Sequence, residues 1–177
     1  DPIGKVYLFR DVQPGILQAS DADTQWWGSG AAYVGVGLST TDDIGSDGHR
    51  DLWIGAADNL IGAYTGSARR ISSDAASGLL TDRASVTVLT GDSCCDMVSQ
   101  DFNLDGVADF AVGDGEFNGS TYGKVHLFYG PLLGTMDTTA ADASYSGRDT
   151  VGMYNLTLAG DTDGDGNLEI VSGAAGD

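Results

Sequence analysis

Basic residues are scarce in this chain. Eight Lys and Arg stand against 26 Asp and Glu in 177 residues, a formal net charge of −18 with histidine neutral. A field of that sign repels phosphate backbones and anionic headgroups, so binding to nucleic acid or to a membrane surface is disfavoured. Glutamate is nearly missing as well: Glu116 and Glu169 are the only two, and the other 24 of the 26 acids are Asp. Asp is the short carboxylate that suits turns and hard cations. A halophile-like solvated surface would also use few Lys, but these acids are clustered rather than spread. No apolar run approaches the roughly 20 residues that a membrane-spanning helix needs, which excludes such a helix. The only cysteines, Cys94 and Cys95, are adjacent. Adjacent cysteines close only a strained ring, so a disulfide framework is excluded, and no zinc-type Cys/His spacing exists. Two thiols on opposite faces of a strand are expected, with a vicinal disulfide as the alternative. The chain opens at Asp1 without an initiator Met or an apolar signal segment, as a processed product or an excised piece would.

What is present points to β-structure. Hydrophobic residues make up 41% of the chain, enough for a packed core. Apolar stretches are short and β-flavoured: residues 5–9, 52–54, 85–89, 110–112, 125–129 and 169–171. Gly, Asp, Ser, Thr and Asn separate them, and Gly alone accounts for 27 residues. Many short strands with turn signals predict an all-β fold. No segment sustains a helical apolar period, and 72–80 has room for at most one helical turn.

Repetition organises the chain. Three acidic loops recur, at 43–51, 101–109 and 161–169, and each runs directly into a short apolar strand that ends in Gly55, Gly113 or Gly173. The segment Gly4-Lys5-Val6-Tyr7-Leu8-Phe9 returns as Gly123-Lys124-Val125-His126-Leu127-Phe128, with a degraded copy at 66–71. The chain therefore reads as one module of three units, about 1–57, 58–115 and 116–177, each large enough for a four-stranded sheet.

The loops share the spacing D-x-[DN]-x-[DN]-G-x-x-[DE]. Side chains at positions 1, 3 and 5 converge when the backbone curls, Gly at 6 permits the turn, the carbonyl at 7 points inward and the acid at 9 closes the shell. That supplies the six or more oxygens that calcium prefers. Without a cation, two carboxylates about 5 Å apart repel by about 3 kcal/mol at an effective dielectric of about 20. Asp-rich turns without any metal are the plainer alternative, and three loops in register argue against it. An EF-hand needs a carboxylate at position 12, where Ile54, Val112 and Ser172 stand instead, so that motif is rejected. The second loop is expected to use Asp101, Asn103, Asp105, the Val107 carbonyl and Asp109. The third is expected to use Asp161, Asp163, Asp165, the Asn167 carbonyl and Glu169. The first has Gly45 at a ligand position, leaving Asp43, Asp47 and Asp51, with Asp42 or water as a substitute. Two strong calcium sites and one weaker site are expected.

These loops, with Trp27-Gly28 and Gly55-Ala56-Ala57 in the first unit and Val151-Gly152 and Gly173-Ala174-Ala175 in the third, resemble FG-GAP repeats, the blades of the integrin α-subunit β-propeller. The second unit is the most divergent, with Gly91 alone and Gly113-Asp114-Gly115. The resemblance implies three four-stranded blades of a partial propeller, an extracellular or periplasmic setting, and a module for protein–protein interaction or cell adhesion stiffened by calcium. Since three blades cannot close a ring, it further implies either a piece of a larger propeller or head-to-tail pairing of two copies into six blades. The alternative is the propeller of a secreted carbohydrate-binding protein or polysaccharide-active enzyme. No catalytic constellation stands out: His49 lies in the weak loop, His126 reads as an ordinary strand residue, and neither a nucleophile elbow nor a phosphate loop is present. Trp27 and Trp53 are expected to pack between blades. Trp26 and Tyr122, beside turn residues, are expected to be exposed and to stack on a sugar or a partner.

Overall fold

The computed structural model describes residues 4–29, 32–43, 48–60, 63–90, 96–114, 123–147 and 153–174. Among them the first strands are β1 (Lys5–Leu8), β2 (Thr24–Trp27), β3 (Ala32–Thr40), β4 (Asp51–Leu60) and β5 (Ala63–Ser72). Next come β6 (Gly78–Leu79), β7 (Val86–Thr90), β8 (Met97–Gln100), β9 (Asp109–Asp114) and β10 (Lys124–Phe128). The last are β11 (Gly134–Asp137), β12 (Ala143–Ser146), β13 (Met153–Gly160) and β14 (Glu169–Ala174). Among the described residues helix is confined to single turns: α1 (Leu80–Arg83) and two short 3-10 turns at Ala19–Asp21 and Thr138–Ala140. The protein is all-β. Every apolar stretch singled out in the sequence lies largely on a strand, because β-branched and aromatic side chains fit a half-buried pleated surface.

The strands form four open sheets, in the orders β1-β2-β6, β11-β7-β5-β4-β3, β12-β10-β9-β8 and β13-β14. Their neighbours are antiparallel except where β6 joins β2 and β11 joins β7 in parallel. Among the described residues the sheets therefore hold three, five, four and two strands rather than four each. Two effects produce this. The hairpins β4–β5 and β9–β10 straddle the boundaries at 57/58 and 115/116, so a sheet is offset from the sequence repeat. In addition, β6 and β11 leave the sheet of their flanking strands and lace onto the preceding one. Sequence periodicity sets the length of a repeat, while strand pairing sets its phase.

Consecutive sheets stack face to face. Val6 and Trp26 of the first pack against Val34, Ile54, Ala56 and Ile71 of the second. Trp53, Val86 and Val88 on the opposite face of the second meet Met97, Phe110, Val112 and Phe128 of the third. Trp53 stacks on Phe110 with ring centroids 3.8 Å apart. Val98, Ala111, Val125 and Leu127 on the far face of the third then meet Leu156 of the fourth, with Leu158 and Ile170 partly buried there. Strand alternation makes this possible, since successive side chains such as Trp53 and Ile54 serve different interfaces. Asp96 ties the third sheet to the fourth by accepting from the Leu156 N–H at 2.9 Å.

Alternation also corrects one expectation. Trp26 is fully buried and Trp27 half-buried, with the Lys5 ammonium 5.8 Å from the Trp27 ring centroid. Adjacency to turn residues suggested exposure for Trp26, but β2 places Thr24 and Trp26 together on the core face. Trp53 is buried as expected. Asp47, Cys94, Cys95 and Tyr122 lie outside the described residues.

Candidate metal centre

Each acidic loop joins an edge strand of a sheet to its antiparallel neighbour: β3 to β4, β8 to β9, and β13 to β14. One bond is common to all three. The N–H at position 6 donates to the carboxylate at position 1: Gly48 to Asp43 at 2.8 Å, Gly106 to Asp101 at 2.8 Å, and Gly166 to Asp161 at 3.0 Å. The glycine at 6 is required by the backbone, with φ of +87°, +88° and +95° in turn.

The second and third loops share more. Asn103 and Asp163 at position 3 accept from the N–H of Asp105 and Asp165, at 3.0 and 3.1 Å. Asp105 and Asp165 at position 5 accept from the N–H of Val107 and Asn167, at 2.8 and 2.7 Å. These bonds curl the backbone so that alternate side chains turn toward one centre. In the third loop Asp161, Asp163, Asp165 and Glu169 each bring a carboxylate oxygen within 4.8 Å of the others. Three of the four are exposed and Glu169 is half-buried. Glu169 is held by Thr162, whose hydroxyl donates to it at 2.6 Å and whose N–H donates to the same oxygen. Sequence reasoning had no signal for Thr162.

The acid at position 9 has a different fate in each loop. Asp109 is completely buried. One of its oxygens accepts from the N–H groups of Phe102 and Asn103 at 2.9 and 3.4 Å, and the other from Gly130 at 2.8 Å. Burial pushes its carboxyl above the ordinary range, the three N–H groups pull it back, and the Asp105 charge adds to the upward push. Beside it, Ser99 Oγ donates to the Asp109 carbonyl at 2.6 Å and lies within hydrogen-bond distance of Thr41 Oγ1, at 2.9 Å, linking the ends of two loops. In the first loop Asp51, buried, lies 3.7 Å from Nε of the buried Arg70. Desolvation lowers the Arg70 guanidinium, and Asp51 partly offsets that. Asp42 faces Arg50 at 3.6 Å on the surface.

Among the described residues, then, the arrangement brings four carboxylates together in the third loop only. The donor set is all oxygen and strongly anionic, which fits a hard divalent cation rather than a soft one. His126 Nδ1 meets Ser144 Oγ at 2.8 Å, but its Nε2 is 3.8 Å from Asp114 Oδ2, beyond hydrogen-bond reach, and the imidazole is buried. His49 is exposed, 3.5 Å from Asp74.

Fold and site together define an all-β protein of stacked sheets with an acidic group able to take a metal ion. No model of a known protein family matches the chain, and neither does any curated protein.

Proposed function

We propose that the chain is a calcium-stabilised binding module built from propeller-type blades of the FG-GAP kind. The observation that carries this reading is the convergence of Asp161, Asp163, Asp165 and Glu169 in a loop whose hydrogen-bond scheme recurs at 101–109. The third loop is the strongest site, the second comes next, and the first is weakest because Asp51 is engaged by Arg70. A bound calcium ion supplies positive charge where carboxylates otherwise repel. The chain's own contribution is to hold the loop curled, through Gly166 and the N–H bonds to Asp161, Asp163 and Asp165.

The loops lie where the edge strands β3, β8 and β13 turn into their neighbours, so stiffening them fixes the ends of three hairpins and the surface those ends present to a partner. Affinity of the modest kind found in exposed acidic loops suits a compartment rich in calcium, extracellular or periplasmic. The partner is a protein in the adhesion reading and a glycan in the alternative, and a glycan array separates the two. The metal is tested by calorimetric titration and thermal melts in calcium, magnesium and EDTA. Calcium should bind with measurable heat and raise the melting temperature by several degrees over EDTA, more than magnesium does. No heat and identical melts would sink the proposal.

A further inference from the structure

The second and third sheets leave a space between them beside the first two acidic loops. It is a polar cleft of about 230 Å³. Its walls include Thr41 and Asp42 just after β3, Arg50 just before β4, Ser99 and Gln100 at the end of β8, and Leu158 of β13. Side-chain size explains the space. Cross-strand register puts Ser39 beside Trp53 and Ser99 beside Phe110. The two rings stack, and the small hydroxyl side chains on the edge strands β3 and β8 do not extend that contact. Small beside large leaves room, and polar groups line it.

The floor of the cleft accepts hydrogen bonds but has none to donate. Thr41 and Ser99 are only 3% and 6% exposed. Their hydroxyls lie 2.9 Å apart, and Ser99 Oγ is 2.6 Å from the Asp109 carbonyl. Two hydroxyls own two protons, and these two bonds use both. Lone pairs remain. A group that settles on this floor must therefore bring its own O–H or N–H.

The mouth offers more variety. Asp42 and Arg50 face each other 3.6 Å apart, both exposed, and Gln100 is exposed as well. A carboxylate accepts, a guanidinium donates and an amide does both. An exposed ion pair of this kind contributes little, so a ligand can separate it at small cost. The two charges cancel, which removes any preference for a charged ligand. An anion has no proton for the floor and meets Asp42, while a metal ion meets Arg50. A neutral molecule with several hydroxyls satisfies every group. One O–H donates to the floor and another to Asp42, oxygens accept from Arg50 and Gln100, and C–H edges lie against Leu158. The volume falls below the roughly 300–1,000 Å³ of drug-sized sites, which leaves room for one ring rather than a chain of them.

We propose that this cleft binds a single neutral polyhydroxy unit, a monosaccharide or a polyol of similar size. The inference goes beyond the calcium reading and gives the glycan alternative a definite site. It does not need a metal, because Thr41, Ser99 and Gln100 precede the loops and the bonds of the floor form without one.

The test is titration of the isotope-labelled chain, followed by amide shifts in heteronuclear NMR, in calcium and in EDTA. The probes are free D-glucose, D-galactose, D-mannose, N-acetyl-D-glucosamine and glycerol, with inorganic phosphate as the anion control. At least one neutral probe should bind with a dissociation constant of roughly 1–10 mM, the strength expected from about a dozen heavy atoms. The shifts should cluster at 39–42 and 99–100 in both buffers. Gln100→Ala and Arg50→Met alter exposed residues, so circular dichroism should not change, and each should weaken binding about threefold. Thr41→Val removes a floor hydroxyl and should weaken it about tenfold. If Thr41→Val misfolds, the two exposed variants decide alone. No shift with any neutral probe up to about 100 mM would overturn the proposal. So would shifts elsewhere, phosphate binding as tightly as the sugars, or variants that bind like the wild type. Binding that vanishes in EDTA would overturn it too, by moving the ligand onto a metal. Sugar binding without any calcium binding would uphold it and overturn only the metal reading.

Discussion

The second and third acidic loops share a backbone scheme but use their ninth acid differently. Asp109 is one methylene shorter than Glu169, and it is drawn inward, where it accepts from three backbone N–H groups. Glu169 reaches Thr162 while keeping an oxygen near Asp161, Asp163 and Asp165. The first loop adds a third answer, with Asp51 set against the buried Arg70. One motif position thus accepts from backbone N–H groups in the second loop, faces a guanidinium in the first and joins three other carboxylates in the third. The lesson is that spacing selects a carboxylate, and the surroundings decide what it is for.

Breaking the inward-facing acids should cost most. Asp51→Ala leaves the Arg70 guanidinium buried without its counter-charge, a loss of about 3–5 kcal/mol in urea denaturation that calcium does not restore. Asp109→Ala orphans three N–H groups and should cost about 3 kcal/mol by the same measurement, again with or without calcium. A small effect from either substitution would contradict the contrast. In the third loop the effect should depend on calcium. Asp165→Ala should leave the EDTA melting temperature within a degree or so of wild type, because the loop is exposed, while abolishing the rise that calcium produces. An equal loss in both buffers would show a structural role instead. The smallest change sharpens the comparison from the other direction: Asn103→Asp gives the second loop the acid that the third has at that position. Calorimetry should then show a few-fold gain in calcium affinity at that loop, and no gain would mean that Asp109, not Asn103, limits it.

Much of the fold was legible in the chain, and the reasons are local. Val86, Val88 and their neighbours alternate with a period of two, and Gly48, Gly106 and Gly166 mark a turn that only glycine adopts easily. The phase of the repeat was not legible, because period and phase are independent until strands pair. Trp26 and Trp27 differ by a single register step, and the pairing of Val6 with Trp26 settles which of them enters the core. The acidic cluster was legible as a motif, but the capture of Asp51 by Arg70 was not, since 19 positions separate them and only the β4–β5 hairpin brings them together.

The amino-acid order by itself determined the β character, the three acidic turns and the return of the segment 4–9 at 123–128, since all three follow from the pattern of polarity, glycine and carboxylate along a few residues at a time. Tertiary structure alone decided which carboxylates are buried and which converge, which tryptophan is hidden, and which strands lace one sheet to the next. Those outcomes depend on desolvation and on partners distant in the chain, and neither is encoded in local spacing.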